Sequence, residues 1–146
     1  MAKKILIVED DNNFRKMVAR KLYSIGYDTE EAVDGKDAID KIKSNDDIDL
    51  IVLDMRMPRM NGFEFIEWVR EHDCQIPVII TTQIDIREMD ECDVYAVLEK
   101  PFDWDEFYGK VESAISFKEN KDEIVLKIRK LRGQIDRAFN LTAAHM

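Results

Sequence analysis

The residues in this sequence best suited to chemistry follow short apolar runs. Glu9, Asp10 and Asp11 come after Ile-Leu-Ile-Val (5–8), Asp54 after the run at 50–53, Thr82 after the run at 78–80, and Lys100 after the run at 94–98. Brought together, they would set carboxylates, a hydroxyl and an ammonium in one small volume. Clustered carboxylates repel one another, and at least one is pushed toward its neutral form unless positive charge intervenes. A hard divalent cation is the simplest such charge, and Mg²⁺ is satisfied by one or two carboxylates, backbone oxygen and water. The segment leaving Asp54 is shaped as well as charged: Pro58 fixes φ, and Gly62 permits a close backbone approach or an easy turn. Acids after strands also cap helices, which is the ordinary reading of Asp11 taken alone.

A parallel sheet would gather these positions. The four runs lack polar alternation, as strands buried on both faces do. Between them the apolar residues recur at helical spacing: Phe14, Met17, Val18, Leu22 and Ile25; Ala38, Ile39 and Ile42; Phe63, Phe65, Ile66 and Val69. A weaker strand is expected at 27–32, after the helix-ending Gly26. The pairs Asn61 with Glu64, Asp85 with Glu88, and Asp103 with Glu106 have the spacing of helix starts. The order is β-α five times, a doubly wound α/β fold whose ligands bind at the carboxyl ends of the strands. Its fourth crossover, residues 83–93, is close to the minimum, so the helix expected at 86–91 has little more than one or two turns.

Composition narrows the function classes. The 146 residues suit one domain with some chain to spare, and 22 basic against 31 acidic residues argue against undirected affinity for nucleic acid or anionic membranes. No apolar run approaches a bilayer span, and the N-terminal residues lack a signal-peptide core, so a cytoplasmic protein is expected. Cys74 and Cys92 then read as reduced thiols, and with His72 and His145 they have no zinc-type spacing. The absence of G-x-G-x-x-G after the first strand excludes a nicotinamide-binding fold. Charge is uneven: residues 1–117 hold 15 basic and 27 acidic groups, while residues 118–146 hold 7 and 4. The chain therefore reads as a domain over 1–117 and a helical extension with a tail over 118–146.

Four segments carry a family likeness: Ile-Leu-Ile-Val-Glu-Asp-Asp (5–11), Leu-Asp-Met-Arg-Met-Pro-Arg-Met-Asn-Gly (53–62), Pro-Val-Ile-Ile-Thr-Thr (77–82) and Glu-Lys-Pro-Phe (99–102). Over roughly residues 3–117 the sequence resembles the receiver domain of two-component response regulators. The resemblance implies a flavodoxin-like sheet of strand order 2-1-3-4-5. It implies that Asp54 accepts a phosphoryl group from a sensor histidine kinase or phosphotransfer protein. It also implies that Glu9, Asp10, Asp54 and the backbone carbonyl of Arg56 hold Mg²⁺, and that Thr82, rather than Thr81, is the switch hydroxyl. Lys100 would pair with Asp54 at rest and with a phosphoryl oxygen afterwards, beside a Lys100–Pro101 bond that is commonly cis in the family.

The sequence departs from the family pattern in three places. Gln83 stands where the family has a smaller residue and would narrow the path of attacking water. Val97 takes the place of the switch aromatic, and Tyr95, two residues earlier, would share its face in a regular strand. The third departure is the short fourth crossover. Beyond the likeness, Phe117, Ile124, Ile128, Leu131, Ile135 and Ala138 are spaced by seven, four, three, four and three, interrupted by Lys121 and Gly133. A helix over 118–140 would reach ~35 Å and could pair with its own copy, dock on a partner helix, or fold back on the domain. Two functional alternatives stand beside the phosphoacceptor: an unphosphorylated interaction module, and an aspartyl-phosphate phosphohydrolase, against which Asp54-Met55-Arg56 lacks the expected Asp-x-Asp.

Overall fold

The computed structural model describes residues 2–57, 59–72, 74–83 and 94–144. Along these residues run β1 (Lys4–Val8), α1 (Asn12–Ser24), β2 (Asp28–Ala32), α2 (Gly35–Ser44), β3 (Ile48–Asp54), α3 (Gly62–Glu71), β4 (Val78–Thr82), β5 (Ala96–Glu99) and α4 (Trp104–Ala144). The strands pair in parallel in the order β2-β1-β3-β4-β5, as the family likeness implied. The short helix expected at 86–91, with its Asp85 and Glu88 pair, lies outside the described residues, as do Pro58, Cys92 and His145.

The sheet is buried on both faces, which is why its strands read as unbroken apolar runs. Ile5 and Ile7 pack with Val18, Leu22, Val52 and Ile79 and with Phe107, Val111 and Ala114 of α4. Leu6 and Val8 point the other way, toward Leu53, Ile80, Ala38, Phe65 and Ile66. The edge strands are the exceptions: β5 buries only Leu98, and β2, Asp-Thr-Glu-Glu-Ala, is half-exposed and buries only Ala32. Charge along an edge discourages pairing with other chains, and it also blunts the pattern by which a strand is recognised.

Helix starts are fixed by side chains. Asp11 caps α1 through the Phe14 amide (3.1 Å), the role expected of it taken alone. Asp34 caps α2 through the Asp37 amide (2.9 Å). Asn61 and Glu64 form the reciprocal box at α3, and Asp103 accepts from the Asp105 amide (3.1 Å) where α4 begins. Gly26, with φ of +100°, follows the end of α1 in a conformation open to glycine. At Gly62 the requirement is space: a Cβ there would lie 2.8 Å from the Met55 Cα.

The chain divides into two compact units, Met1–Ile115 and Ser116–Met146. In the second, α4 continues through Gly133, and Ile124, Ile128, Leu131 and Ile135 are each more than half exposed. Lys127 and Glu123 pair on its surface at 3.3 Å.

Candidate functional site

The loops leaving the carboxyl ends of β1 and β3 meet where the sheet reverses its winding. One oxygen from each of Glu9, Asp10 and Asp54 lies within 4.8 Å of the others. They open on a cavity of about 280 Å³, lined also by Asp11, Arg56, Gln83 and Lys100. Glu9 and Asp54 are buried, whereas Asp10 is exposed. The donor set is all hard oxygen and anionic, which fits Mg²⁺ or a cation like it.

Lys100 is the cationic member of this cluster. Its Nζ donates to Glu9 Oε1 at 2.7 Å and stands 3.9 Å from Asp54 Oδ1, so its closer partner is Glu9 rather than the Asp54 that the likeness implied. The ammonium also rests 4.1 Å from the centre of the Phe14 ring, a cation–π contact. Its backbone amide donates to the Thr82 carbonyl at 2.6 Å, and the Lys100–Pro101 peptide is cis.

The carboxylates feel one another. Burial, and then a hydrogen bond with Asp54, raise the Glu9 carboxyl above its ordinary range, with Lys100 pulling the other way. Asp10 is raised as well, by burial and by Glu9. Added positive charge in the pocket would stabilise the ionised form of both.

Not every expected residue reaches the cavity. Thr82 is fully buried and outside its lining, joined to the site through the backbone bond to Lys100. Thr81 is also buried, opposite Asp54 in the sheet register. Tyr95 and Val97 do not share a face: Val97 packs with the Leu6 side of the sheet and Tyr95 with the Ile5 side. The regular strand begins only at Ala96, so the period-2 rule does not extend back to Tyr95.

Two features of this end of the sheet were not read from sequence. Arg15, buried on the inner face of α1, donates through Nη1 to the Glu9 carbonyl (2.8 Å), through Nε to Glu31 (3.0 Å), and also to Asn12. Its spacing from Val18 and Leu22 places it on the buried stripe, a signal that was available. The other is the pairing of Arg59, in the loop after β3, with Asp34 at the start of α2.

A doubly wound sheet of this order, with acids and a lysine gathered at its switch point, defines a receiver-type α/β domain. The chain belongs to the response regulator receiver domain family, whose pattern matches residues 5–112. It is 33% identical over 129 residues to the response regulator ArlR of Staphylococcus saprophyticus, covering 85% of this chain but 57% of that one. It is 36% identical over 124 residues to the sporulation initiation phosphotransferase F of Bacillus subtilis, covering 82% of this chain and 99% of the other. Among solved structures, the response regulator TrrA of Thermotoga maritima in complex with Mg²⁺-BeF superposes with a TM-score of 0.70 and 29% identity, covering 77% of this chain and 98% of that one. No described helix is long and apolar enough to cross a membrane.

Proposed function

We propose that Asp54 accepts a phosphoryl group from a sensor histidine kinase or phosphotransfer protein, and that the resulting acyl phosphate shifts the domain between two populations that a partner reads. The observation that carries this reading is the cluster of Glu9, Asp10 and Asp54 within 4.8 Å, with Lys100 against it, in a receiver-family fold. A carboxylate is a weak nucleophile, so the work falls to alignment and charge neutralisation. An Asp54 oxygen bonds to phosphorus as the bond from phosphorus to the donor imidazole breaks; the imidazole keeps the electron pair and takes its proton from water. Glu9, Asp10, Asp54 and the Arg56 carbonyl are the groups that would hold Mg²⁺, which when bound supplies positive charge against the phosphoryl oxygens. Lys100 leaves Glu9 for a phosphoryl oxygen, and the Thr82 hydroxyl turns toward the new group. Residues 1–117 carry this chemistry, and residues 117–138 of the extension offer a stem for a second copy or a partner helix.

Intact mass after incubation with acetyl phosphate and Mg²⁺ tests the proposal. Wild type gains one phosphoryl mass and Asp54→Ala does not. No gain in wild type, or equal gain in the variant, overturns it.

A further inference from the structure

We infer that Arg59 is a positioning residue for the cation site, acting through its ion pair with Asp34; the inference rests on the reading of the Asp54 pocket given above.

The loop that leaves Asp54 is fastened at three points. The Gly62 amide donates to the Met55 carbonyl (3.2 Å), the Gly35 amide donates to the Met60 carbonyl (3.3 Å), and Arg59 Nε donates to Asp34 Oδ2 (2.5 Å). The loop lies so close to the start of α2 that a Cβ on Gly35 would come within 2.7 Å of the Met60 side chain. Met55, Met57 and Met60 pack into the core, while Arg56 between them stays exposed and lines the cavity. The carbonyl expected to serve the cation therefore belongs to a residue whose own side chain does not anchor it. Its placement depends on the fastenings on either side.

Arg59 is an odd residue to find there unless the pair matters. Its φ is +36°, in the left-handed region that suits glycine, and arginine adopts it at a cost. What offsets that cost is a buried carboxylate with both oxygens assigned, Oδ1 to the Asp37 amide as the cap of α2 and Oδ2 to Arg59. Burial by itself would raise the Asp34 carboxyl, but the Arg59 guanidinium and the Asp37 amide outweigh it and hold the group below its ordinary range. The pair thus ties the loop after β3 to the helix after β2, 25 residues away in sequence. Groups that orient a metal's ligands without touching the metal typically change affinity by about tenfold or more when removed.

The test is calorimetric titration of the full chain with Mg²⁺, in wild type, Arg59→Gly, Arg59→Lys, Asp34→Asn and the double variant Arg59→Gly/Asp34→Asn, with a thermal melt of each in the absence of Mg²⁺. Glycine suits the left-handed backbone and asparagine keeps the helix cap, so neither variant is expected to unfold. The expected result is Mg²⁺ affinity weakened by about tenfold in Arg59→Gly and in Asp34→Asn, no further loss in the double variant, partial recovery in Arg59→Lys, and melts that show every variant folded at the titration temperature. Wild-type affinity in Arg59→Gly overturns the inference while leaving the Asp54 reading intact. Losses that add in the double variant overturn it too, as does a loss confined to variants whose melts show unfolded protein at the titration temperature. A wild type that neither binds Mg²⁺ nor gains phosphoryl mass overturns both, and is told apart by that lack of labelling.

Discussion

Lys100 stands 2.7 Å from an oxygen of Glu9 and 3.9 Å from one of Asp54, so its ammonium serves two carboxylates at once. Taking it away has opposite effects on the two halves of the proposed reaction. Lys100→Met removes a competitor for Glu9, so Mg²⁺ affinity measured by calorimetry holds or rises. The charge available to the transferring phosphoryl group is lost, and the rate of Asp54 labelling by acetyl phosphate falls by about a hundredfold, the scale of one preorganised donor. Unchanged labelling would show that Lys100 only balances the resting acids. Gln83 is exposed and lines the same cavity. On the expectation that its amide narrows the path of water to Asp54, Gln83→Ala should lose its phosphoryl group several times faster than wild type when the decay is followed by intact mass. Equal or slower decay would mean that the side chain does not restrict water.

The β2–α2 turn and the loop after β3 meet through Asp34, and the pH dependence of this contact has a definite sign. Its carboxyl is held below the ordinary range in the folded state, so it contributes stability above the unfolded value of about 3.9 and loses it as pH falls through the lower, folded value. Urea unfolding should therefore show a constant stability gap between wild type and Asp34→Asn above about pH 6, shrinking toward zero in acid below the ordinary carboxylate range. A gap that widens in acid would contradict the assignment. The same contact marks the limit of what the sequence discloses. Strands β1, β3 and β4 were legible because burial on both faces leaves an unbroken apolar run, and Asp54 was placed because a strand end is where such a run stops. β2 read weakly because an edge strand carries charge. Arg15 was missed because arginine looks like a surface residue, although its spacing from Val18 and Leu22 puts it on the inner stripe. The Arg59–Asp34 pair left no trace at all: its partners are set by how two loops pack, and an arginine does not announce a left-handed backbone as glycine does.

For the molecule as a whole, charge decides how the C-terminal stem can associate. Ile124, Ile128, Leu131 and Ile135 follow the heptad spacing and are exposed. On that seam, Lys127 and Arg132 occupy the flanking positions that face each other across a parallel pair. A second copy would thus set like charges side by side, and residues 1–117, with 27 acidic against 15 basic groups, would add repulsion of the opposite sign between the two domains. Both terms are screened by salt, whereas the burial of isoleucine and leucine is not. The molar mass of the full chain by sedimentation equilibrium should accordingly stay near that of a monomer at about 10 mM salt and move toward a dimer at about 1 M, where the screening length falls from ~30 to ~3 Å. Leu131→Glu should hold the monomer at both. A helix from an acidic partner would behave in the opposite way, binding the basic stem best at low salt. A monomer mass under both conditions would therefore eliminate the second copy, whereas a dimer that survives Leu131→Glu would move the contact off this seam.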